Sequence, residues 1–171
     1  MSGTLGDSAA GLACLERGVT GDAAARYAIS RHKRPQPRVA LGQLLVEFGV
    51  RAAIDLSDGL LRDARHLATE SGAALVIEKE ALPLSPEARE VASRLRQDAL
   101  VWATGGGEDF ELLFTAEPSA APSLIAAASE RLGLPVTRIG TVEAGAGVRV
   151  VAADGAEWPP AAEGWDQFRR A

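Results

Sequence analysis

The chain has 171 residues, 47% apolar and 24% charged, and its 18 basic against 23 acidic residues leave a net charge of −5. That is enough chain for one domain with one core, burying about two thirds of its unfolded surface, and the acidic balance argues against nonspecific binding to nucleic acid or membrane. No apolar run reaches the roughly 18 residues of a spanning helix, and the first residues lack the charged-then-apolar order of a signal peptide, so a cytoplasmic location is expected. In chain order, Asp7 or Ser8 is placed to cap a helix reaching about Arg17, where Gly18 ends it. Cys14, the single cysteine, excludes an internal disulfide and reads as a core residue. Residues 21–30 form a second helical stretch. Two prolines and a basic cluster interrupt it over residues 31–38, and residues 39–48 resume as a helix with Leu41, Leu44, Leu45 and Phe48 on one face. The cluster reads as a solvated connector or as a site that meets nucleotide phosphates.

Residues 52–54 read as a short strand, and Leu60, Ala64, Leu67 and Ala68 recur at helical spacing after it. Strands are expected at 74–77, 100–103, 111–115, 136–142 and 148–152, with helices at 86–95 and 122–132. Turns fall at 145–147 and 154–155, and the tail from Asp154 onward is less regular. Alternating helices and strands, some strands joined by hairpins, predict an α/β (α+β mixed) fold with helices packed on a mixed β-sheet.

Two segments carry more chemistry than a fold requires. Asp55, Ser57 and Asp58 lie where the 52–54 strand turns into the next helix, with Asp58 at the start of that helix. Asp55 and Ser57 would share a face there. Carboxylates at the carboxyl end of a strand, beside helix N–H groups that favour phosphate oxygens, suit a magnesium-bound polyphosphate. A plainer reading makes Asp58 an N-cap and Asp55 part of a turn hydrogen bond. Gly105, Gly106 and Gly107 then precede Glu108 and Asp109 at the mouth of an apolar strand, where glycines allow close backbone approach to a ligand; a simple flexible turn has the same composition. Trp165, between Gly164 and Asp166, can stack on a flat heterocycle or pin the tail to the core. His32 and His66 have no second histidine or cysteine at metal-ligand spacing, so a structural or solvent-exposed role is expected for both.

Taken together, Gly3 to Leu12, Arg34 to Arg38, the Asp55 and Glu108 segments, and Gly164-Trp165-Asp166-Gln167-Phe168 resemble, in order, the thiamine-monophosphate kinase family, within the group related to aminoimidazole ribonucleotide synthetase. The departures are small: Gly105 stands where the family often has serine or threonine, and Phe110 where tyrosine is common. The resemblance implies the carboxy-terminal domain of a synthetase-like fold, spanning residues 1–171. It also implies that the amino-terminal nucleotide-binding domain, through which the family is expected to form homodimers, is absent. The implied reaction passes the terminal phosphoryl group of ATP to thiamine monophosphate, with Mg2+ as cofactor. Asp55 and Asp58 are the implied metal ligands, Ser57 the contact to nucleotide phosphate, and Glu108 and Trp165 the contacts to thiamine monophosphate. Two alternatives remain open, a related ATP-dependent synthetase and an isolated nonenzymatic binding domain.

Overall fold

Leu60, Leu61, Ala64, Leu67 and Ala68 fall on one side of a helix by their three- and four-residue spacing, and all five are buried. They form the inner stripe of α4 (Leu60–Ser71), the element around which the sheets are arranged. The computed structural model describes residues 1–159. Before α4 come α1 (Asp7–Glu16), α2 (Ala23–Lys33), α3 (Val39–Glu47) and β1 (Ala53–Asp55). After it follow β2 (Ala74–Glu78), α5 (Pro86–Leu95), α6 (Ala99–Gly105), β3 (Leu112–Phe114), α7 (Ala121–Leu132), β4 (Gly140–Glu143) and β5 (Gly147–Val151). The class is α/β, as the alternation predicts, but the described strands form two small sheets: an antiparallel β1–β3 pair, and a three-stranded sheet of order β4-β2-β5.

In the β1–β3 pair Ile54 faces Leu113, while Ala53 pairs with Phe114 and Asp55 with Leu112. Side chains alternate across a strand, so the two sets lie on opposite faces. Ile54 and Leu113 join α4, Leu75, Ile77 and Val150 in the largest apolar cluster; Leu112 and Phe114 pack with Leu41, Leu44 and Leu45 of α3 and Leu124 of α7. A third cluster, with Ala10, Cys14, Ala25, Ala28 and Val91, holds α1, α2 and α5 together. Among the described residues the buried apolar side chains therefore form three clusters rather than the expected single core. Among the described residues no helix is long and apolar enough to cross a membrane.

Several expectations change for local reasons. Residues 100–103 are helical: the Asp98 side chain accepts the Leu100 N–H at 2.9 Å and caps α6, and Thr104 Oγ1 donates back to the Leu100 carbonyl at 2.8 Å. A four-residue apolar run does not by itself distinguish strand from buried helix. Helix α2 starts under an Asp22 cap and runs on through Arg31, His32 and Lys33, whose positive charge suits a helix C-terminus. Helix α1 begins after Gly6 with no side-chain cap, so Asp7 and Ser8 lie inside it. The turn at 144–146 makes no hairpin, because β2 lies between its two strands, antiparallel to β4 and parallel to β5. The expected strand at 136–142 begins only at Gly140. Ahead of it, Val136 bridges Ser2 and the Thr137 N–H donates to the Met1 carbonyl at 2.8 Å, while the Ser2 N–H donates to Leu112 at 3.0 Å. The first residues thus connect β3 to the segment leading into β4.

Leu60 is fully buried where α4 meets the apolar faces of both sheets. Leu60→Ala is expected to destabilise the fold by about 2–5 kcal/mol, the usual cost of an unfilled leucine cavity, as a lower urea midpoint with an unchanged slope.

Candidate functional site

The two acidic segments, about 50 residues apart in sequence, lie against each other. Beyond the end of β1 the pairing with the β3 side continues as irregular backbone bonds: Leu56 N–H donates to Glu111 (2.8 Å), Phe110 N–H to Leu56 (2.9 Å) and Glu108 N–H to Ser57 (2.8 Å). Contact is close enough that a Cβ on Gly107 would lie 2.5 Å from the Ser57 carbonyl oxygen, so only glycine fits. The backbone of Gly107 and Glu108 therefore lies directly against Ser57 and Asp58, two and three residues on from Asp55. The Glu108 side chain is 60% exposed. Asp55 is exposed at the rim of a groove of about 500 Å³ between α3 and β1, walled by Gly42, Leu45, Val46, Val50 and Ile54.

Asp58 does not cap α4. Its carboxylate is 43% exposed and faces Arg62 Nε at 3.4 Å. The capping function falls to Asp63, which is buried and receives the Asp58 and Gly59 N–H groups on one oxygen, at 3.0 and 3.1 Å. Burial pushes the Asp63 carboxyl above the usual range; the two N–H bonds lower it, and the charges of Asp58 and Asp55 raise it. Asp63 was not singled out from the sequence, although an acid in the first turn of a helix whose preceding residues offer free N–H groups is a recognisable signal.

The loop's second acid is not at the mouth. Asp109 is buried, accepting the Gly6 N–H at 2.7 Å and the Ser8 N–H at 3.0 Å across the start of α1. Burial raises its carboxyl to about 7, against the pull of those two bonds and with a further push from Asp7. Two residues on, Glu111 is fully buried and receives Arg38 through two nitrogens (2.8 and 2.6 Å), Arg31 (2.8 Å) and the Ser2 hydroxyl (2.6 Å). Burial pushes Glu111 up, but the bonds from Arg38 and Ser2 and the charges of both arginines prevail, and it rests below the usual carboxylate range. The basic stretch is therefore not simply a solvated connector, since Arg31 and Arg38 point inward to a buried carboxylate. Asp7, also buried, receives the hydroxyls of Thr4, Tyr27 and Ser85. His32 Nδ1 shares a hydrogen bond with Ser8 Oγ at 2.9 Å and lies 3.6 Å from Glu108 Oε2; His66 is exposed. Trp165 lies outside the described residues.

Asp55 and Asp58 both expose carboxylate oxygens, and each raises the buried Asp63 carboxyl through its charge. One or two carboxylates completed by substrate phosphates is a normal magnesium environment. Among the described residues no three or more acidic, histidine or cysteine side chains are grouped so as to hold a metal ion.

The sequence profile described as "AIR synthase related protein, C-terminal domain" matches residues 1–153. The thiamine-monophosphate kinase of Salmonella typhimurium is 43% identical over 148 residues, covering 84% of this chain and 44% of its own length. A solved structure of AaThiL complexed with AMPPCP and TMP superposes with a TM-score of 0.81 at 37% identity, covering 98% of this chain and 50% of that one. The crystal structure of thiamine-monophosphate kinase from Stenotrophomonas maltophilia gives the same TM-score at 41% identity, covering 90% and 48%. The chain thus spans about half the length of the relatives it matches, and the likeness is to their carboxy-terminal portion.

Two buried carboxyls should give opposite pH signatures. Asp109 has a higher pKa in the folded chain than its ordinary 3.8, so its contribution to stability is full below that value and is lost as pH rises through about 7. Denaturation at about pH 5 and about pH 8 should show wild type losing stability relative to Asp109→Asn as pH rises. Glu111 is shifted down, so its contribution is present above its ordinary value of 4.5 and is lost as pH falls through its lowered one. At neutral pH, Glu111→Ala should cost about 3–5 kcal/mol in the same measurement, because two largely buried arginines lose their partner.

Proposed function

The chain belongs to the AIR synthase related protein C-terminal domain family, and from that premise we propose that it is the carboxy-terminal half of an ATP-dependent thiamine-monophosphate kinase. The observation that carries this reading is the packing of the 105–111 loop on residues 56–59, which sets the backbone of Glu108 against that of Ser57 in the other acidic segment. The 43% identity to the Salmonella kinase and the AaThiL complex with AMPPCP and TMP support the ligand classes, a nucleoside triphosphate and thiamine monophosphate.

In this proposal Asp55 and Asp58 hold Mg2+, and Ser57 donates its hydroxyl to a nucleotide phosphate. When bound, the metal neutralises crowded phosphate charge during in-line transfer of the terminal phosphoryl group. The residues of this chain act by position and charge. Arg62 offsets the repulsion between the two aspartates, and Asp63 holds the backbone of Asp58 and Gly59. Glu108 presents an exposed carboxylate to the cationic thiazolium of thiamine monophosphate, and Trp165 stacks on its ring. A strong general base is not required, because the acceptor phosphate is already anionic near neutral pH.

Residues 1–171 alone are expected to form thiamine diphosphate from ATP and thiamine monophosphate far more slowly than a full-length relative, since they match only 44% of the Salmonella enzyme. Discontinuous assay of thiamine diphosphate checks this, and a rate equal to the full-length enzyme would contradict it. Fused to the amino-terminal half of a relative, the chain should become active. In that fusion, Asp58→Asn should raise the magnesium concentration needed, and Glu108→Gln should raise KM for thiamine monophosphate about tenfold while leaving KM for ATP nearly unchanged. An inactive fusion that is folded, or a Glu108→Gln enzyme with unchanged KM, would overturn the reading.

A further inference from the structure

Asp109 lies between two non-glycine residues held at positive φ, Glu108 at +66° and Phe110 at +51°. Each such conformation costs about 1–2 kcal/mol for an L-residue and persists only where its surroundings overdetermine it. Two of the restraints are the backbone bonds from Glu108 to Ser57 and from Phe110 to Leu56. The third is the Asp109 carboxylate, which places one oxygen on the Gly6 N–H and the other on the Ser8 N–H. Those are free donors at a helix start, the groups that would otherwise serve a ligand phosphate, and here they are occupied from within the chain.

The contacts close a ring. Ser8 bonds Asp109 through its N–H and His32 through its hydroxyl, His32 lies 3.6 Å from the Glu108 carboxylate, and Glu108 adjoins Asp109 in the chain. Within it the two neighbouring acids differ sharply: the Asp109 residue is 4% exposed, whereas the Glu108 side chain is 60% exposed. Burying a carboxylate is costly, and a loop needing only a turn has no use for one.

We propose that Asp109 is a positioning residue for Glu108: its carboxylate clamps a strained turn onto the first turn of α1, and the clamp holds the Glu108 carboxylate outward toward a cationic ligand. The functional part rests on the reading of Glu108 as a substrate contact; the clamp itself rests on the geometry.

Two measurements on the 171-residue chain separate these. Amide hydrogen exchange by NMR reads the clamp without ligand. Asp109→Ala should speed exchange at the Glu108 and Phe110 N–H groups at least about tenfold while leaving Val76 and Ile77 in β2 unchanged. Asp109→Asn, which keeps one acceptor oxygen, should fall between, and decides the matter if the alanine variant does not fold. Unchanged loop exchange in the folded variants overturns the proposal. Titration with thiamine monophosphate then tests coupling: Asp109→Asn and Glu108→Gln should each weaken binding, and the double variant should be no weaker than the worse single, since both losses act through one carboxylate. Additive losses overturn the positioning role. Accelerated exchange together with undiminished binding by Glu108→Gln supports the clamp and refutes the substrate reading alone.

Discussion

A carboxylate with no exposure to water must be neutralised where it sits, and Glu111 is neutralised by residues from three separate parts of the chain. Ser2 comes from the first residues, Arg31 from the last turn of α2, and Arg38 from just ahead of α3. Gly3 passes so close that a Cβ there would overlap the Glu111 carboxyl group. Each approach fixes one element relative to β3, and through the bond from Leu56 N–H to the Glu111 carbonyl it also fixes the residues that follow β1. Removing water from these charges costs more than an apolar core would, so the network is better understood as specifying an arrangement than as adding stability.

From that anchor the site follows with little remaining freedom. Counting back from Glu111, Phe110 and Glu108 turn through left-handed backbone while Asp109 reaches α1. Regular alternation would place residues 109 and 111 on one face and 108 and 110 on the other. The positive φ angles alter that geometry, yet both inner acids remain buried and Glu108 emerges. The buried acids are each met by N–H, hydroxyl or guanidinium donors, and Asp55, Asp58 and Glu108 reach the surface on the two packed segments. The buried carboxylates are partnered, whereas Asp58 and Glu108 face Arg62 and His32 in half-exposed contacts and stay open to solvent.

The helix framework was legible because it follows from spacing. The α4 stripe, the Leu41, Leu44 and Leu45 face of α3, and the 86–95 span of α5 all lie where the sequence places them. Residues 100–103 show the limit: an apolar tetrad fits strand or helix equally, and the Asp98 cap together with packing on α1 and α4 decides. The basic stretch shows another. Its charges suggest solvent, since arginine is seldom buried unpaired, but its partner lies about 75 residues away and has no local signature.

Residue chemistry and local period are properties of short segments, so the sequence alone determined the α/β class, most element boundaries, and the two acidic segments that carry the family resemblance. Which carboxylate faces solvent is a property of long-range packing. Only the tertiary structure decided that Asp63 rather than Asp58 caps α4, that Asp109 is buried while its neighbour Glu108 is exposed, and that Arg31 and Arg38 converge on Glu111. It also decided that β2 separates β4 from β5 where a hairpin was expected, because strand order depends on which partners satisfy the backbone across the whole sheet.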